Sequence, residues 1–317
     1  MYDAIIVGGG PAGLNAALVL GRAQRRTLLC DLAQPRNQQV RAANGFLSRD
    51  GIAPAELRRI ADYQLAPYPA IERRRVGVNR IDNHPNEFRA TLTDGSTVAT
   101  RRVILASGVI DELPAIDGLA ERWGISAFNC AYCDGWEVRD QPLAVLGANE
   151  PNIRLALVLT RFTADVQLCT NGAAEPVAEQ AELLRRRGVN VHTEPVVRLE
   201  GPGTDLQQLV FADGNTLQRR YVFCHAPTRQ ASSIPDDLGL ERLDDGSIQV
   251  DDLGQTSVPG VFAAGDLARR PTMPVSGAQI AIAAGEGAIA AIALDHSLFL
   301  EELAGPQIRP INHQTRE

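Results

Sequence analysis

Cys130 and Cys133, separated by Ala131 and Tyr132, are the residues whose types and spacing point most directly to chemistry. Two intervening residues let the pair close an intramolecular disulfide within one turn of chain or open to a dithiol. Thiol–disulfide exchange needs a thiolate, an accepting sulfur and a proton donor. Asp134, next in the chain, is placed to donate or accept that proton. A structural zinc site would need four ligands, commonly from two such pairs. The chain has 5 Cys with no second close pair, and its His are scattered at 84, 192, 225, 296 and 313. Redox chemistry is therefore expected at Cys130 and Cys133, and no metal site. Cys30 and Cys224 lie in apolar surroundings and are expected to be buried, inert side chains.

A second set of residues fits a phosphate-bearing ligand. Gly8, Gly10 and Gly13 form Gly-x-Gly-x-x-Gly, with Pro11 and Ala12 inside it, between an apolar strand ending at Val7 and a helix reaching Arg22. The first glycine permits a tight turn, the second a close approach of backbone to pyrophosphate, and the third close packing of helix on strand. The phosphates would sit on the positive end of the helix. Asp31 ends the next strand, where an acid can accept both ribose hydroxyls. An acid there disfavours a 2′-phosphate and suits FAD or NAD.

These residues need elements to position them. The 317 residues are too many for one ordinary core and suit two domains. The strand over 3–7, helix over 14–22 and strand over 26–31 predict the βαβ opening of a doubly wound sheet. A second β-turn-α-β unit is expected over 142–146, 152–162 and 165–169. Strands at 248–251 and 261–264 and an Ala-rich helix from Gln279 to about Phe299 should follow, then an extended tail over 305–317. The expected joints are 111–114 and 238–246. Arg185–Arg187 read as the solvated C-terminal end of a helix.

Composition narrows the function classes. The net charge of −7 argues against nucleic acid as a partner. All 31 basic residues are Arg, which excludes lysine Schiff bases and a Walker-type phosphate lysine. No unbroken apolar run reaches the roughly 18 residues of a membrane span. With the apolar strand opening at Tyr2 and no basic stretch before it, a secretory signal is not expected. Cytoplasmic localisation is expected.

In order along the chain, the glycine turn, Cys130-Ala131-Tyr132-Cys133-Asp134-Gly135, the second nucleotide unit and the run from Thr256 to Asp266 resemble the low-molecular-weight thioredoxin reductases. The resemblance covers nearly the whole chain. It implies an α/β fold with two nucleotide-binding, Rossmann-like domains. The FAD domain would be discontinuous, over residues 1–113 and 244–317, with a pyridine-nucleotide-type domain carrying the cysteines inserted over 114–243. Homodimers are implied. Gly265 and Asp266 would hold the ribityl–phosphate region of FAD, Gln279 and Ile280 the helix start over the flavin, and Ala106-Ser107-Gly108 the crossover. Arg36, Asn37, Asn44 and Val76 join the implied cofactor positions. Cys133 would face the flavin, Cys130 would attack the substrate disulfide, and Asp134 would handle protons. Pro35-Arg36-Asn37, the segment 45–51 and Cys133-Asp134-Gly135-Trp136-Glu137 resemble a narrower branch that includes dithiol oxidases. Those oxidases usually carry His after the second Cys, where this chain has Asp134.

The inserted domain of that family binds NADPH through a second Gly-x-Gly-x-x-Ala. Here the stretch is Gly147-Ala148-Asn149-Glu150-Pro151-Asn152. Asn149 adds a side chain, Glu150 adds negative charge, and Pro151 removes a backbone donor. The family's His-Arg-Arg is replaced by Cys169-Thr170-Asn171, which has no arginine fork. Impaired NADPH binding is therefore expected, with a ferredoxin-type protein, another flavin carrier or a dithiol as electron source. Three functions stay open: a disulfide reductase serving thioredoxin or a similar disulfide, a dithiol oxidase of a small molecule using O2, and a flavin redox sensor without turnover.

Overall fold

The computed structural model describes residues 1–273 and 278–304, so the expected tail lies outside the described residues. The chain forms two compact units, one of residues 1–36, 59–109 and 230 onward, the other of 37–58 and 110–229. The sequence boundaries at 113/114 and 243/244 are replaced by 109/110 and 229/230, and the segment 37–58 joins the second unit.

The first unit is built on a strand, Tyr2–Val7, whose two faces are both apolar. Ile5 and Val7 enter one core, and Ala4 and Ile6 enter the other. A strand buried on both faces belongs in the middle of a covered sheet. It pairs in parallel with Thr27–Cys30 on one side and Thr97–Leu105 on the other. Ile71–Arg74 extends one edge, while Glu87–Leu92 and Val78–His84 run antiparallel on the other. Val261–Ala263 adds in parallel to Thr97–Leu105, with Phe262 opposite Ile104, completing a seven-stranded sheet.

Two helices meet on one face of this sheet. The first, Pro11–Arg22, starts three residues earlier than the periodicity predicts, because Pro11 has the backbone angle that a first helical residue needs. The last, Ile280–Ala304, runs five residues past the predicted end. By length and a mean hydropathy of 1.3 it could cross a membrane, although Glu286 and Asp295 break its apolar run. Here it is a layer of the first unit. A Cβ on Gly287 would lie 2.1 Å from the Ala12 carbonyl oxygen, so the two helices touch backbone to backbone. Beyond that contact, Arg25 pairs with Asp295 at 2.5 Å and Glu302 at 2.7 Å, and Arg102 with Glu301 at 2.7 Å.

The second unit carries a five-stranded parallel sheet in the order Asn190–His192, Val166–Cys169, Leu143–Leu146, Tyr221–Phe223, Ala127–Phe128. Leu143 and Val145 enter one core, Ala144 and Leu146 the other. A three-stranded antiparallel sheet, Val196–Glu200, Gln208–Phe211 and Thr216–Gln218, belongs to the same unit. Both large sheets contain the strand–turn–helix–strand unit of a nucleotide-binding fold. The structure thus has the expected α/β class with two Rossmann-like units.

Candidate active site and cofactor turn

The first glycine turn joins the central strand to the first helix. Gly8 takes φ +108° and donates its N–H to the Cys30 carbonyl at 2.8 Å. A Cβ on Gly13 would lie 1.9 Å from the Gly8 carbonyl oxygen, so the helix starts directly against the turn. Gly10 precedes the helix and no side chain caps it. A Cβ on Gly10 would meet nothing within 4 Å. The positive end of the helix therefore opens outward through Pro11, Ala12 and Gly13, as an anion cradle requires. The Asp31 carboxyl group lies over the turn, its Cγ 2.4 Å from where a Gly9 Cβ would be. These residues fit the pyrophosphate and ribose of a dinucleotide cofactor such as FAD.

Of the other expected cofactor residues in the first unit, some approach this turn and the rest lie elsewhere in that unit. A Cβ on Gly8 would lie 2.3 Å from the Ala106 carbonyl, which leads into Ser107 and Gly108. Gly265 approaches Ala12, whose Cβ is 3.1 Å from the position a Gly265 side chain would take. Asp266 pairs with Arg36 at 2.8 Å. Gln279 precedes the last helix, which Ile280 begins. Val76 packs against one core of the first unit. Glu286, which sequence reasoning missed, accepts the Gly265 N–H at 3.0 Å and so fixes the turn that presents Asp266. Its carboxyl sits above the usual range because of burial. The readable signal was an acid between two glycines near the start of an Ala-rich helix.

Two expected cofactor residues fall in the second unit. The Asn37 carbonyl accepts the Val40 N–H at 3.2 Å. Asn44 Nδ2 donates to the Cys133 carbonyl at 2.9 Å, which ties the segment 37–58 to the cysteines.

The cysteines occupy one helical turn, Ala131–Asp134, directly after the edge strand Ala127–Phe128. Cys130 stands at the cap position with extended backbone, and its sulfur accepts the Cys133 N–H at 3.2 Å. That donor is placed to hold charge developing on the Cys130 sulfur. Both cysteines are half-buried. Burial, then the charge of Cys130, then Glu137 push the Asp134 carboxyl up to about 7. An acid with that pKa exchanges protons readily near neutral pH. Tyr132 and Trp136 are 68% and 65% exposed on the same short stretch, with the Arg139 guanidinium 4.1 Å over the Trp136 ring. The remaining thiols, Cys30, Cys169 and Cys224, are buried, and burial pushes the first two to about 12 and the third to about 11.

The second turn contrasts with the first. Asn149 caps the helix Glu150–Leu159, its side chain accepting the Asn152 N–H at 3.0 Å. Asn152 is buried where the motif has alanine. Its Oδ1 accepts the His225 N–H at 2.7 Å, and its Nδ2 lies 2.6 Å from where a Gly147 Cβ would be. Glu150 pairs with Arg154 at 2.8 Å. At the end of the next strand, Thr170 bonds the Ala173 carbonyl at 2.7 Å and Asn171 accepts the Val196 N–H at 2.8 Å. Residues that elsewhere hold a phosphate are engaged here in local structure.

Residues 2–287 match the family model described as pyridine nucleotide-disulphide oxidoreductase. The chain is 32% identical over 297 residues to a protein of Arthroderma benhamiae named "Probable thioredoxin reductase", covering 84% of this chain and 74% of the relative. It is 31% identical over 331 residues to the Mycobacterium leprae "Bifunctional thioredoxin reductase/thioredoxin", covering 99% of this chain and 69% of that protein. The crystal structure of HlmI superposes with a TM-score of 0.88 at 37% identity, covering 96% of this chain and 94% of HlmI.

Proposed function

Because the chain belongs to the pyridine nucleotide-disulphide oxidoreductase family, as a flavin-dependent, thioredoxin reductase-like oxidoreductase, we propose that Cys130 and Cys133 pass electrons from FAD to thioredoxin or a similar disulfide. Ordinary NADPH use is weak in this reading. One observation carries it: the two cysteines share a single helical turn with an acid whose pKa is about 7.

The Gly8–Gly13 turn, Asp31, Gly265 and Asp266 would hold FAD, which would supply two-electron reduction of the cysteine pair. The chain's own residues do the rest. Asp134 takes the Cys130 proton, and the Cys130 thiolate attacks one sulfur of the partner disulfide. A mixed disulfide forms, and the partner's other sulfur leaves as a thiolate that takes a proton from Asp134. The Cys133 sulfur, deprotonated by Asp134, then attacks Cys130. The Cys130–Cys133 disulfide forms, and the partner's second sulfur leaves as a thiolate that takes the Cys133 proton back from Asp134. Two electrons and two protons move from the cysteine pair to the partner.

The donor side of the proposal rests on the contrast between the two helix N-termini. One is uncapped, and the other is capped by Asn149 beside Glu150. A lost charge-assisted contact costs on the order of 1.5–3 kcal/mol, so two such losses raise Kd roughly a hundredfold or more. A ferredoxin-type protein then serves as the donor. The Mycobacterium leprae relative, whose name joins both activities, supports thioredoxin as acceptor. The protein works as a homodimer in the cytoplasm in this proposal.

The same closed turn favours one second reading, a dithiol oxidase that runs the exchange backward and delivers the electrons to O2. An anaerobic titration of the flavoprotein separates these. Reduced ferredoxin is expected to bleach the flavin quickly and NADPH or NADH slowly. Fast bleaching at micromolar NADPH would remove the donor proposal. Bleaching by dithiothreitol alone, with rapid recolouring in air, would favour the oxidase.

A further inference from the structure

The second unit has a cleft of about 800 Å³ at the opposite end of its parallel sheet from the cysteines. Its lining includes Ser126, Pro142 and Tyr221, which stand at the amino ends of three neighbouring strands. Cys130 and Gly147 follow the carboxyl ends of two of the same strands. A four-residue strand spans roughly 13 Å, which separates the cleft from both turns. Ligands of open α/β sheets bind outside the carboxyl ends, so this cleft is a different place from the nucleotide site of such a unit.

Its charge is the opposite of the chain's. Arg41, Arg219 and Arg220 line it against a single carboxylate, Asp205, in a protein of net charge −7. The buried Arg219 is fixed by the Leu143 carbonyl at 3.2 Å, the Gln218 carbonyl at 2.7 Å and Asp165 at 2.7 Å. Arg41 stands 3.6 Å from Asp205, a loose pair in which both side chains are 70% exposed. Arg220, exposed at the rim, makes no ion pair with the described residues. Arg220 is thus left to a ligand and Arg41 is only loosely engaged by Asp205, while Arg219 anchors the wall. Guanidinium groups match carboxylate and phosphate oxygens in paired hydrogen bonds. The volume lies within the range of small-molecule sites.

We propose that this cleft binds a small, multiply charged anion bearing phosphate or carboxylate groups, held by Arg41 and Arg220. Binding there is independent of the redox reading above, since the site shares no residue with the cysteines or the cofactor turn.

Calorimetric titration of the FAD-loaded protein with pyrophosphate and, separately, with citrate tests it. Loading with FAD occupies the first glycine turn. Saturable binding that weakens as salt rises is expected for at least one probe, and the better probe identifies the recognised group. Arg220→Ala and Arg41→Ala should each weaken binding about tenfold or more, with flavin content unchanged. Arg139→Ala, stacked on Trp136, should leave binding as it was. No saturable heat with either probe would overturn the proposal. Binding of equal strength in Arg220→Ala and Arg41→Ala would overturn it too, because the anion would then sit elsewhere, such as the Gly147 turn.

Discussion

Asp134 couples the cysteine turn to pH. Its carboxyl is raised from an ordinary 3.8 to about 7, first by burial and then by the charge of Cys130. Donating a proton to a departing thiolate needs the protonated acid, which dominates below about 7. Partner reduction should therefore slow as pH rises through 7, whereas dithiol oxidation, which needs the ionised base, should quicken over the same window. Asp134→Asn should flatten either profile and lower the rate roughly 10²–10⁴-fold, read by stopped-flow flavin absorbance. The stability effect has its own sign. A folded-state pKa above the unfolded value contributes stability that is full below about 4 and is lost as pH rises through about 7. Denaturation midpoints of the parent should fall over that range relative to Asp134→Asn.

The cysteines should also separate by role. Cys133→Ser leaves Cys130 able to attack but removes the sulfur that resolves the mixed disulfide. Mass spectrometry should then find a partner adduct on Cys130, with no turnover. Cys130→Ser should give neither adduct nor turnover, and adduct formation in that variant would reverse the assignment. The candidate site was legible in the sequence because the cysteines and the acid are neighbours in the chain. Glu286 was not assigned, because its role depends on Gly265, which is 21 residues away and brought near only by packing.

At the scale of elements, the two glycine turns show what changes when a phosphate cradle is filled by its own side chains. The loss of glycines was readable in Gly147–Asn152. What replaced them was not, since Asn152 bonds to His225 across the unit. Asn149→Gly removes the cap at a cost of a few tenths of a kcal/mol. It should lower the NADPH concentration needed for half-maximal flavin reduction several-fold, with the dithiothreitol response unchanged; no shift in the NADPH response would show that the cap is not the obstacle. The contact between the first and last helices permits the opposite kind of test. Gly287→Val forces carbon into the Ala12 carbonyl. A loss of about 1–3 kcal/mol is expected, with weakened FAD retention, measured by thermal melting and by flavin content after gel filtration.

For the whole molecule, the sequence carried the α/β class and the presence of two nucleotide-type units, because each opens with its own strand, turn and helix. It did not carry the assignment of 37–58 to the second unit. That segment has no strong periodicity, and it is placed by contacts such as Asn44 with Cys133 and Arg41 with Asp205. Ligand linkage offers a check on the first unit as a single cofactor domain. Removing FAD should lower the melting temperature, and adding it back should restore the temperature in proportion to the logarithm of its concentration. A melting point indifferent to FAD would contradict the cofactor assignment.

The closure of the seven-stranded sheet by Val261–Ala263 sets an order of events on the ribosome. The strand Thr97–Leu105 emerges long before its last neighbour, and the first helix waits for Gly287 before its exposed side is covered. At typical synthesis speeds that interval lasts on the order of ten seconds. The second unit's parallel sheet, drawn wholly from residues 127–223, is complete within the same interval. The nascent chain should therefore acquire a finished cysteine-bearing unit while its cofactor unit is still an open sheet. Chains stalled near residue 240 should protect the second unit from protease and leave the first cleavable.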